Sequence, residues 1–156
     1  MADETKESPP NYEALLGNAA EVTQVVGSLQ VIKKNQPVPK SSWFNKLDMA
    51  PLFVNAFKVA LITLSTHPGN CTTYLPSRDP PREEFSPIFM IFVNGNHWVW
   101  AELQAPQGQK VPIPPIANWW NSSRHTSRMA KHWKDQAEDA LALWKQLDKG
   151  KGKDLG

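Results

Sequence analysis

Apolar positions recur along this chain with two different periods, and the change of period marks its elements. From Asn11, a candidate N-cap, Tyr12, Leu15, Leu16, Ala19, Val22 and Val26 return every three or four residues, which predicts a helix ending before Asn35. Residues 33–40 then mix charge with Pro37 and Pro39, so the helix gives way to an extended connector. A second helix is predicted from Ser41 or Ser42, with Phe44, Leu47, Leu52, Phe53, Ala56 and Phe57 as its apolar stripe and a break at Pro51.

The period then shortens. Residues 59–64, Val-Ala-Leu-Ile-Thr-Leu, are short, apolar and partly β-branched, and His67-Pro68-Gly69-Asn70 closes them, which predicts a central strand. Residues 71–75 are its hairpin partner, and residues 76–84 a charged, proline-rich loop. Two further apolar runs, residues 88–93 and 97–103, flank Asn94-Gly95, the strongest short-range hairpin signal in the chain. In the second run His97, Val99, Ala101 and Leu103 share one face, and Trp98, Trp100 and Glu102 the other. Val111-Pro112-Ile113-Pro114-Pro115 is rigid and extended, and its prolines exclude it from a sheet centre. A last helix is predicted from a cap at Thr126 or Ser127 to about Leu147, on Met129, Trp133, Ala137, Ala140, Leu141 and Trp144. The sum is an α+β fold, a small and mostly antiparallel sheet of three to four strands with N-terminal and C-terminal helices.

Composition adds boundaries to this pattern. A length of 156 residues suits one domain, expected over residues 11–147, between a disordered leader at 1–10 and a flexible Lys/Gly tail at 148–156. Seven tryptophans, each able to bury on the order of 150–250 Å², supply much of the apolar surface. The net charge of +2 is too small and too scattered for a polyanion binder, which leaves nucleic acid an unfavoured partner. A lone Cys71, the lack of an apolar signal region after Met1 and the absence of any run near the ~20 residues of a membrane span point to an intracellular protein, cytoplasmic or nuclear, with no membrane partner.

The residues that can carry chemistry are few. There is no Gly-rich phosphate loop, no cysteine pair and no His-Glu-x-x-His helix, so no cofactor and no metal is expected. His125 and His132 stand seven apart, nearly two helical turns, too far to share one ion without other ligands. His97 opens a strand directly after a tight turn, a rigid and accessible place for a general base and equally for a histidine that bonds its neighbours. Cys71 is the one available nucleophile, but a strand start lacks the oriented N–H groups that stabilise a thiolate, and a small core residue is the competing reading.

Taken in order, Ser42-Trp43-Phe44 through Asp48-Met49, Val59-Ala60-Leu61-Ile62-Thr63-Leu64-Ser65, Thr73-Tyr74-Leu75-Pro76, Asn94-Gly95-Asn96-His97-Trp98-Val99, Val111-Pro112-Ile113-Pro114-Pro115 and Trp119-Trp120 resemble the C-terminal half of OTU-like (ovarian-tumour-type) cysteine protease domains, in the divergent transposon-associated group. The likeness spans residues 29–133. It implies a partial papain-like fold, an activity that removes ubiquitin from proteins, and a base at the Asn-His-aromatic position, here His97. The family's nucleophile lies in an Asp-Gly-x-Cys segment that this sequence does not contain, and the position two after the histidine, often Asp or Asn, is Val99. Asn96 is then the candidate to orient the imidazole.

A base without its nucleophile does little, since loss of the nucleophile in a worked serine protease costs on the order of a million-fold in kcat. The leading expectation is therefore a pseudoenzyme, an OTU-like domain without hydrolase activity that binds ubiquitin or another protein through Trp98, Trp100, Trp119 and Trp120. Two alternatives stand beside it. One is an active deubiquitinase of the cysteine type using Cys71 and His97. The other is a nucleic-acid-associated module of transposon origin, prompted by Lys33-Lys34 and the lysine-rich tail.

Overall fold

Leu61-Ile62-Thr63-Leu64 is too short for a stable helix and too apolar for a surface loop, and it finds a strand on either side. The computed structural model of the chain describes residues 19–28, 35–37, 39–40, 43, 45–81, 85–117 and 124–151. In it β1 (Leu61–Leu64) pairs antiparallel with β2 (Thr72–Tyr74) and parallel with β3 (Ile88–Val93), and β3 pairs antiparallel with β4 (His97–Ala101). The order β2-β1-β3-β4 makes a mixed four-stranded sheet with β1 inside it, as its composition predicts. Helices α1 (Ala19–Ser28) and α2 (Lys46–Phe57) precede the sheet in the chain and α3 (Arg124–Lys151) follows it, an α+β architecture. The chain divides into two compact units, Met1–Phe57 with α1 and α2, and Lys58–Gly156 with the sheet and α3.

One face of the sheet is built to receive α3. Ile62, Phe89 and, at its margin, Leu64 and Ala101 meet Ala137, Ala140 and Leu141 of the helix, with Ile113 wedged into the same cluster. A second cluster joins Ala60 and Leu75 to Met129, Ala130 and Trp133. Ala137 and Ala140 are small enough to let the helix backbone come close, and the Ile113 N–H donates to the Ala140 carbonyl at 3.1 Å. Trp133, only 5% exposed, donates its Nε1–H to the Asp79 carbonyl at 2.9 Å, which ties the helix to the loop after β2.

The outer edge of β2 is closed by the proline-rich segment. Thr73 donates its N–H to the Pro115 carbonyl at 3.0 Å, and its carbonyl accepts from the Ala117 N–H at 2.9 Å. The Thr73 hydroxyl donates to the Pro114 carbonyl at 2.7 Å. Prolines supply carbonyls but no N–H, so this segment can flank an edge and cannot carry another strand beyond it.

Several boundaries differ from the sequence reading, each for a physical reason. Helix α2 begins at Lys46 after Asn45, whose carbonyl accepts from Met49 N–H at 2.8 Å, and it runs unbroken through Pro51. The proline costs about 3 kcal/mol, and burial of Met49, Ala50, Leu52 and Val54 outweighs it. Burial therefore wraps around the middle of the helix, while Phe57 is 59% exposed and rests on Phe53, their ring centroids 4.7 Å apart. Strand β4 stops at Ala101 instead of Leu103, because the register would place Leu103 opposite Pro87, which has no N–H to offer. Helix α3 starts two residues before Thr126 and reaches Lys151, since its polar end is made of good helix formers and a single Gly150 costs only about 1 kcal/mol. The leader at 1–10, the caps Asn11, Ser41 and Ser42, the pair Lys33-Lys34 and the tail at 152–156 lie outside the described residues. Among the described residues no helix is long and apolar enough to cross a membrane.

Two measurements check this core. Trp133→Phe keeps most of the ring but abandons the Asp79 carbonyl, and is expected to lower unfolding stability by about 1–2 kcal/mol in urea titrations, against about 3–5 kcal/mol for Trp133→Ala. Burial pushes the Tyr74 phenol above its ordinary value of 10.0, a rise that its hydrogen bond with Thr72 partly opposes. The folded state thus holds that proton when the unfolded chain has lost it, so stability falls as pH climbs past 10. Tyr74→Phe should remove that part of the alkaline slope.

Candidate functional site

The turn of the β3–β4 hairpin sets the geometry of the residues that follow it. Asn94 and Gly95 have φ of 53° and 72°, the left-handed backbone of a primed turn, and Asn96 N–H donates to the Val93 carbonyl at 3.3 Å. Glycine takes this conformation without strain and asparagine tolerates it, which is why the Asn-Gly pair stands here. His97 then enters the ladder opposite Val93.

The His97 side chain is exposed, and its Nδ1 is hydrogen-bonded to Asn96 Oδ1. An amide oxygen only accepts, so Nδ1 is the donor in this bond. Asn96 thus sits where an orienting residue for the imidazole is expected.

Cys71 stands elsewhere. It lies just before β2, its Sγ accepting from Ser65 N–H at 3.3 Å and donating to the Ser65 carbonyl at 3.4 Å. Both bonds close the loop between β1 and β2. Because β2 and β4 are the two opposite ends of the strand order, three inter-strand spacings, about 14 Å, separate the strand of Cys71 from that of His97. The structure brings Asn96 and His97 together and leaves Cys71 on the far edge, where the thiol fastens a turn.

Along β4 the pleat alternates as the sequence predicts. Trp98 lies opposite Phe92, with ring centroids 4.9 Å apart, and Trp100 lies opposite Met90. Trp98 is half-buried, whereas Trp100 is 69% exposed and Val99 on the other face 41% exposed. Trp119 and Trp120, expected to join this surface, lie outside the described residues. His132 is exposed on α3, the side chain of His125 is not described, and among the described residues no three His, Cys, Asp or Glu side chains gather to hold a metal ion.

One feature escaped the sequence reading. An open cleft of about 450 Å³ runs between α3 and the start of β3, lined by Phe85, Pro87, Phe89, Leu103, Val111 and Ala140, with Lys110 at its mouth. Lys110 pairs with Asp139 at 3.0 Å. Its only trace in the sequence is the small Ala140 among larger helix residues, a signal shared with any close-packed helix.

The thiol's structural role has a direct check. Cys71→Ala removes the sulfur's hydrogen bonds with Ser65 and with the His67 carbonyl and should cost about 1 kcal/mol of stability, with faster amide exchange at Ser65 as the local signature.

No protein-family model, curated protein or solved structure matches this chain.

Proposed function

We propose that this chain is a protein-recognition domain of OTU-like descent, without hydrolase activity, which receives ubiquitin or another protein on the aromatic hairpin of β3 and β4. The observation that carries this reading is Trp100, 69% exposed on the hairpin strand β4. Large rigid aromatics surrounded by half-buried apolar groups are what binding hot spots are made of. Trp98, held against Phe92, gives the patch a fixed base, and the Asn-Gly turn fixes its end.

The placement of the two chemical groups supports recognition over catalysis. A thiol must lie within hydrogen-bond reach of its base, roughly 3–4 Å, and Cys71 and His97 belong to opposite edges of one sheet. The order Asn94-Gly95-Asn96-His97-Trp98-Val99 supports OTU-like descent, with His97 as the former base and Asn96 as its orienter. On this reading the histidine persists as part of a binding surface.

The test has two arms. Titrating the protein into isotopically labelled ubiquitin should shift a contiguous set of ubiquitin resonances, and Trp100→Ala should weaken the interaction at least about tenfold, the effect of a hot-spot aromatic. An electrophilic ubiquitin probe that traps reactive cysteines should leave the protein unlabelled. Labelling that disappears in Cys71→Ala would overturn the non-catalytic reading, and unmoved ubiquitin resonances would remove ubiquitin as the partner.

A further inference from the structure

The charge of this chain is scattered along its whole length but sorted within α3. Between Arg124 and Lys134 the helix carries Arg124, Arg128, Lys131 and Lys134, two histidines and no acid. From Asp135 to Asp148 the balance reverses, with Asp135, Glu138, Asp139 and Asp148 against Lys145 alone. Arg128, Lys131 and Lys134 recur every third residue, and all three are exposed, with His132 beside them. The other side of the same turns, Met129, Ala130 and Trp133, is buried with Ala60 and Leu75, which fixes the side that the cations take.

This arrangement works against the helix. Arg128 with Lys131 and Lys131 with Lys134 are like charges three residues apart, and such neighbours destabilise a helix by about 0.2–0.5 kcal/mol a pair. The first turn holds no acid to complement the helix dipole. Asp135 and Glu138 stand four residues after Lys131 and Lys134, yet among the described residues neither lysine nor Arg128 joins an ion pair. By contrast Lys58 and Lys110 are met by Asp79 at 3.3 Å and by Asp139 at 3.0 Å. Local rules are broken in this way where function asks for it.

We propose that the exposed side of α3 from Arg128 to Lys134 binds the phosphate backbone of a nucleic-acid duplex, without regard to base sequence. Two properties of the patch choose this partner over an acidic protein. Its exposed residues include no apolar side chain, whereas protein interfaces draw their affinity from desolvated aromatic and apolar anchors and are depleted in lysine. A patch of cations alone gains free energy by releasing condensed counterions, and a duplex carries these densely because it places one charge per about 1.7 Å of its axis. Arg128 adds a planar fork that meets phosphate oxygens two at a time. The acids from Asp135 onward repel the same backbone, so the duplex crosses the helix at its first three turns instead of lying along it. The patch shares no residue with the hairpin of the recognition reading and does not depend on it.

Fluorescence anisotropy of a labelled, mixed-sequence DNA duplex of about 20 base pairs, titrated with the full chain, tests this. Three phosphate contacts predict half-saturation below about 100 µM protein at low salt. They also predict a slope of log K against log salt near about −2.7, a loss of about fortyfold between about 25 and 100 mM. Arg128→Gln combined with Lys131→Gln keeps good helix formers in place, so circular dichroism should show the variant folded. It should bind at least about tenfold more weakly, with the slope reduced by about two. Lys145→Gln, on the acidic half, should bind as the wild type does. Absence of binding at low salt, a flat salt dependence, an unaffected double variant or an equal loss in Lys145→Gln would each overturn the proposal. So would displacement of the duplex by poly-glutamate at equal charge concentration, which would assign the patch to an acidic protein. Ubiquitin is in none of these mixtures, so the recognition reading stands or falls by its own titration.

Discussion

Every strand at the margin of a sheet leaves a row of backbone donors and acceptors facing outward, and the way this chain disposes of its two rows organises the rest of the fold. At β2 the answer is covalent in origin. Residues 111–115 carry three prolines, so they are already extended and poor in donors before they arrive, and Thr73 needs little more than the Pro115 carbonyl and the Ala117 N–H to be satisfied. The prolines that forbid a fifth strand there also hold Ile113 against the helix. One segment thus closes an edge and fills the seam between sheet and helix.

That seam depends on small side chains. Ala137 and Ala140 bring α3 close enough for its backbone to accept from Ile113, while Trp133, one turn earlier, ends in a hydrogen bond to the Asp79 carbonyl. The same helix covers Ile62 and Phe89, and meets β4 at Ala101. The turn end of the β3–β4 hairpin lies beyond the helix stripe. Its exposure is a consequence of where the alanines stand on α3 as much as of the residues on the hairpin itself.

Local rules were enough wherever an element answered to its neighbours in sequence. The Asn-Gly turn, the run of residues 88–93 and the alternation of β4 obey short-range sterics and the period of the pleat, so they were legible in the sequence, as was the stripe of α3 from Met129 to Ala140. Boundaries decided by distant partners were not. The end of β4 is set by Pro87, just before β3, and the passage of α2 through Pro51 by burial that no local propensity records. The candidate site divides in the same way. Asn96 beside His97 could be read because they are adjacent, whereas the distance between Cys71 and His97 is a property of strand order, and a chain gives no local sign that β1 and β3 will both lie between them.

Strand order also decides how firmly the two groups are kept apart. Bringing Cys71 to His97 would require removing β1 from between β2 and β3, and β1 is the most committed strand in the sheet. It pairs along its whole length with β3, pairs again with β2, and buries Leu61, Ile62 and Thr63 completely. At roughly 25 cal/mol per Å² of apolar surface, exposing those side chains alone costs several kcal/mol, a large share of the ~5–15 kcal/mol that holds a domain together. No loop motion on the time scale of catalysis supplies that. A thiol bonded into its own hairpin and an imidazole bonded to its own neighbour each have a local reason for their geometry, and Trp100 is the aromatic of β4 that stays largely exposed.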